Sequence, residues 1–184
     1  MPHPLHLCLP ALETFNPKTE EFGVFGGIEL DLEYSLYTIS LWESKWKKPF
    51  IETSDKFTEE EKIGFYEAMC ITPNVDKAMW GLLTLPIEQD IWKYVTDPMS
   101  ATTITNHNRR PGRKEIVTTE IIYYWMSSLN IPYSCEHWHF NRLMKLIEVG
   151  FVKQAPPKKM GAKEAMAQQK SLNAARKAMW NTKG

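Results

Sequence analysis

The sequence predicts an α+β fold that is mainly α. It has a small N-terminal antiparallel β element (residues 1–34), a compact helical body with a helical hairpin (35–153) and a basic C-terminal arm (154–184). Three observations carry this. Ile28, Leu30, Leu32 and Tyr34 alternate with Glu29, Asp31 and Glu33, the period of a strand with one wet face. Residues 114–153 hold the densest apolar and aromatic run, with helical spacing on both sides of Asn130-Ile131-Pro132. From Lys153 onward seven Lys and one Arg face a single acid, Glu164, so residues 1–152 keep 14 of the 22 basic and 21 of the 22 acidic residues. A net charge of zero therefore conceals a body at −7 and an arm at +7.

Taken in order, residues 6–9 form a short strand before Pro10, and Asn16-Pro17-Lys18 reads as a turn. After the alternating strand, Ser35 caps a helix that places Leu36, Ile39, Trp42 and Trp46 on one side and ends before Pro49-Phe50. Thr58 and Glu61 form a capping box for a helix bearing Ile63, Tyr66, Met69 and Cys70. Asn74 starts a short helix through Met79, Trp80 and Leu83. Pro86 sits in the first turn of another, with Ile87, Ile91, Tyr94 and Val95 inward. Residues 98–113 read as a long loop that holds Arg109, Arg110 and Arg113.

In the hairpin, Ile121, Ile122, Trp125, Met126 and Leu129 fall within an arc of roughly 140° at helical spacing. Phe140, Leu143, Met144, Leu146, Ile147 and Phe151 fall within roughly 160°. Pro132 ends the first helix, Ser134 caps the second, and the two stripes are expected to bury each other as antiparallel neighbours. Ala155-Pro156-Pro157 breaks the chain. Residues 162–180 are rich in Ala, Lys, Gln and Met, with a thin stripe of Leu172, Ala175, Arg176 and Met179. That helix is too lean to fold alone and is expected to order against a partner.

Composition excludes several classes. At 43% hydrophobic and 24% charged residues the chain is not disordered throughout, and its apolar runs are too short for a membrane span. The N-terminus lacks the basic start and apolar stretch of a secretory signal. Cys8, Cys70 and Cys135 are an odd, widely spaced set that fits free thiols in a reducing compartment. The run Cys135-Glu136-His137-Trp138-His139 invites a metal, but on a helix the two histidines point about 200° apart, so no metal site and no cofactor are expected. Nucleophile turns, glycine-rich phosphate loops, HExxH and CxxC motifs are missing, which makes a non-enzymatic role the expectation.

The candidate interaction residues are of two kinds. Trp42, Trp46, Phe50, Trp80 and Trp92 are an aromatic surplus spread over short helices, of the type enriched at protein interfaces, with core packing expected for at least half of the tryptophans. Arg109, Arg110, Arg113, Lys158, Lys159, Lys170, Arg176 and Lys177 supply the basic loop and arm. These charges suit an acidic protein surface, another copy of the chain or nucleic acid; the segments lack the interleaved aromatics of a single-strand binder, apart from Trp180.

Several strings together resemble one family. They are Trp42-Glu43-Ser44-Lys45-Trp46 with Lys48-Pro49-Phe50, and Met99-Ser100-Ala101-Thr102-Thr103. The hairpin adds Glu120 to Met126, Asn130-Ile131-Pro132 and Trp138-His139-Phe140-Asn141-Arg142-Leu143, and the arm adds Leu172-Asn173-Ala174-Ala175-Arg176 and Asn181-Thr182-Lys183-Gly184. In order and over nearly the whole chain, these strings resemble tailed-bacteriophage tail-morphogenesis proteins of the tail assembly chaperone type. The resemblance implies a protein without catalysis, made in the cytoplasm of the infected bacterium. It would act by contact with tape-measure or tail-tube subunits. Such chaperones are often made in pairs by ribosomal frameshifting, whereas this sequence ends in a polar tail. A structural component retained in the virion (connector, tail-completion or baseplate protein) therefore stays open, with a nucleic-acid-binding phage protein as the further alternative.

Overall fold

Four strands, β1 (Leu5–Cys8), β2 (Ala11–Asn16), β3 (Glu21–Gly26) and β4 (Glu29–Leu32), make a single long ribbon. β1 pairs antiparallel with β4, and β2 with β3. The pairs Leu5–Leu32 and Ala11–Gly26 belong to one register, which the bonds Leu9 N to Ile28 O (2.9 Å) and Gly27 N to Pro10 O (3.1 Å) carry across the gap. The ladder breaks at Pro10, which has no N–H to donate. Gly26, opposite the next residue Ala11, has φ +91°, and a Cβ there would lie 2.2 Å from the Pro10 carbonyl oxygen, so only glycine fits. The sequence reading held the outer strands and the turn; β2 and β3 escaped it.

The computed structural model describes residues 4–18, 20–104, 116–154 and 161–180. Beyond the ribbon, α1 (Leu36–Trp46) opens on Ser35, whose hydroxyl accepts from Thr38 N while the Thr38 hydroxyl accepts from Ser35 N. The short α2 (Phe50–Thr53) follows, then α3 (Glu59–Met69), which opens on the Thr58–Glu61 box. A 3₁₀ segment, Lys77–Leu82, precedes α4 (Leu85–Thr96), with Pro86 in its first turn. Asp76, and not Asn74, caps that 3₁₀ segment: its carboxylate accepts from Ala78 N, while Asn74 sits at φ +58° in the preceding turn. α5 (Thr119–Ser128), a 3₁₀ segment (Tyr133–His137), α6 (Phe140–Gln154) and α7 (Ala162–Trp180) complete the order. The fold is α+β and mainly α.

The outer edge of β4 is taken up by the chain leaving α3. Glu33 N donates to Met69 O, Ile71 N to Asp31 O, and Asp31 N to Thr72 Oγ1, at 2.7–2.9 Å. This half of the ribbon is thereby built into the core, where Leu9, Leu30 and Leu32 are fully buried.

The hairpin differs from its sequence reading. Ser134 does not cap the second helix: the 3₁₀ segment intervenes, and α6 starts only after Ser35 and His139 form an isolated bridge and Phe140 N donates to Tyr34 O (2.8 Å). With a connection this long, the late residues of α5 meet the late residues of α6. Trp125 lies edge-on to Phe151 (5.7 Å), and a Cβ on Gly150 would lie 2.9 Å from a Leu129 methyl. Ile122 and Met126 are the fully buried positions of α5, whereas Trp125 is only partly covered.

Contacts divide the chain into two units, Met1–Val152 and Lys153–Gly184. In the first, the β element and the helices share one apolar cluster running from Leu7 to Ile147.

Candidate interaction surface

Three of the five aromatic candidates, Trp42, Phe50 and Trp80, are core. Trp42 is fully buried, donates its indole N–H to Glu61 O (3.0 Å), and has Phe57 and Phe50 at 4.6 and 5.5 Å. Phe50 and Trp80 are buried as well, and Trp46 and Trp92 are partly covered. The short helices that looked unable to bury these rings singly bury them collectively. Tyr34, Trp42, Phe50, Phe57, Phe65 and Tyr66 form a chain of tilted and edge-on pairs. Trp46 fits because Gly64 leaves the space: a Cβ there would lie 2.8 Å from its indole nitrogen. Trp42, Phe50 and Trp80 are therefore reassigned from a partner surface to the fold, while Trp46 and Trp92 pack against the core and keep part of their surface exposed.

Of the basic candidates, Arg109, Arg110, Arg113, Lys158 and Lys159 lie outside the described residues. Lys170, Arg176 and Lys177 are exposed on α7. Every described side chain of α7 is exposed, including Met166, Leu172, Met179 and Trp180.

The ribbon supplies what the sequence reading missed. β2 and β3 expose Leu12 and Phe15 by about half of their surface, Phe22 by 79% and Val24 by 73%. Register puts Phe15 opposite Phe22 and Glu13 opposite Val24, and alternation places all four on one face. The two rings touch at 5.0 Å. Glu13 lies on this face beside the apolar side chains. The tip carries Lys18 with Glu20 and Glu21, of which Glu21 falls on the opposite face, so the ribbon end is apolar with a small acidic excess. A readable signal existed in the turn at Asn16-Pro17-Lys18 followed by Phe22-Gly23-Val24, an aromatic and a β-branched residue two apart.

Two other places carry titratable groups. At the junction of β4, α1 and α5, His137 Nδ1 is 3.0 Å from Glu33 Oε1, its Nε2 is 3.8 Å from Glu136, and Tyr123 donates to Glu136 (2.6 Å). Burial, and then that carboxylate, push the Tyr123 hydroxyl well above the usual range, so it acts as a donor and not a nucleophile. Burial also raises the Cys70 and Cys135 thiols, which makes them poor nucleophiles. An open cleft of about 260 Å³ beside α4 is lined by His6, Asp90, Lys93 and Asp97 among others, and is small for a ligand site. Among the described residues no group of three His, Cys, Asp or Glu is placed to hold a metal, and no helix is long and apolar enough to cross a membrane.

His139 serves the core. Its Nε2–H donates to Tyr94 O (3.0 Å), while Nδ1 is buried without a hydrogen-bond partner. Burial holds its pKa below the ordinary 6.5, so the folded chain resists a proton that the unfolded chain accepts. The stabilisation is fully present above about pH 6.5 and is lost as pH falls toward the lower folded value. Thermal melts should show a drop in stability across this window that is missing in His139→Gln. An equal acid slope in both proteins would place the titrating group elsewhere.

Comparison with protein-family models, with curated proteins and with solved structures gives no match.

Proposed function

We propose that this protein is a non-enzymatic bacteriophage tail-morphogenesis factor of the tail assembly chaperone type, acting by protein–protein contact. The observation that favours contact over catalysis is the exposed ribbon face of Phe15, Phe22 and Val24. Apolar surface in register on a projecting ribbon is costly in water unless a partner covers it. The basic α7, whose described side chains are all exposed, is a second such element. The tail assignment itself rests on the sequence strings that resemble that family, and places the protein in the cytoplasm of the infected host. Its partners in this reading are tape-measure or tail-tube subunits.

Cross-linking of infected cells, read by mass spectrometry, tests the assignment. Cross-links from the ribbon or α7 to a tape-measure or tail-tube protein are expected. Peptide counts from purified virions then separate a factor that leaves, which is missing from the particle, from a connector or baseplate component present in fixed copy number. Cross-links confined to nucleic acid, or to proteins unrelated to the tail, would overturn the reading.

A further inference from the structure

The ribbon and α7 present faces of opposite chemistry. On the ribbon, Phe15, Phe22 and Val24 share their face with Glu13, and the ribbon end as a whole carries Glu13, Glu20 and Glu21 against the single cation Lys18. On α7, helical spacing places Leu172, Met179, Trp180 and Met166 within an arc of roughly 140°. Arg176 lies inside that arc, and Lys170 and Lys177 border it. One face is apolar with acidic neighbours, the other apolar with basic neighbours.

We propose that α7 of one copy lies across the ribbon face of a second copy of this chain, so that the protein associates with itself through these two elements. This rests on the reading above that both faces are contact surfaces, and it names their first partner. Charge favours a second copy over an unrelated protein. Residues 1–152 carry −7 and the remainder +7, so each copy supplies the counter-charge that the other copy's face lacks. The mode is an amphipathic helix laid on an apolar surface, with apolar anchors giving affinity and the Glu–Arg/Lys rim giving orientation. If the exchange is reciprocal it closes a dimer; if it runs one way it builds a chain of copies.

Sedimentation velocity on the full chain across the micromolar range tests this. Wild type should associate, and more weakly as salt rises. A ribbon variant, Phe22→Ser with Val24→Thr, and an arm variant, Leu172→Ser with Arg176→Glu, should each associate at least about tenfold more weakly. All four substituted side chains are exposed, so circular dichroism and melting temperature should stay at wild-type values. Mixing is the deciding arm. The ribbon variant keeps a working α7 and the arm variant keeps a working ribbon, so together they should form a heterodimer that neither forms alone. The proposal is overturned by a monomeric wild type, by a ribbon or arm variant that associates as wild type does, or by a mixture that stays monomeric. A monomeric wild type that still cross-links to tail proteins would end this inference and leave the proposed function standing.

Discussion

Trp42→Ala is expected to destabilise the protein by about 3–5 kcal/mol, the largest loss available from a single side chain here. The residue is fully buried, and truncation empties the space between Phe50 and Phe57 while leaving the Glu61 carbonyl without its indole donor. Domains of this size are stable by about 5–15 kcal/mol, so the variant should melt far below wild type or fail to accumulate. Trp125→Ala is the natural control. Its sequence pattern puts it in a buried stripe, but the ring is only partly covered and faces the half-exposed Phe151, so its loss should be clearly smaller. Chemical denaturation of the two variants side by side checks the order; equal losses would contradict the core described above.

Glu43→Gln should cost about 2–3 kcal/mol although it changes one atom. Glu43 is buried, and its carboxylate joins the starts of two helices: Oε1 accepts from Phe50 N of α2, and Oε2 accepts from Thr119 N and Oγ1 of α5. First-turn amides have no partner inside their own helix and carry the positive end of its dipole, so a carboxylate suits both. Glutamine keeps one acceptor and turns an NH2 donor toward the other helix, where Thr119 N then has nothing to donate to. A wild-type denaturation midpoint for Glu43→Gln would mean that this bridge contributes nothing.

How much of this was legible depends on the range of the interaction. The Ser35 cap, the Thr58–Glu61 box, Pro86 in its helix and the full extent of α7 are set by neighbours three or four residues apart, and the sequence shows them directly. The phase of Leu30 and Leu32 was equally open, being a period of two. Glu43 bridging to Thr119, or the chain after α3 completing the edge of β4, depends on partners tens of residues away that no local pattern reports. The aromatic surplus misled for the same reason. Whether Trp42 and Trp80 meet a partner or each other's neighbours is decided by how five short segments converge. The ribbon face went unread because Gly23, Gly26 and Gly27 broke the alternation that marks a strand, while the structure uses Gly26 to keep one register past Pro10.

The central claim is that a self-sufficient body displays elements whose work is contact. On the proposed tail-morphogenesis reading, deleting residues 161–184 from the gene tests it most directly, with melting of the purified product and electron-microscope counts of assembled tails as readouts. The body carries its own apolar cluster, so its melting temperature should remain near that of the full chain while intact tails disappear. Normal tails assembled by the truncated protein would contradict the account.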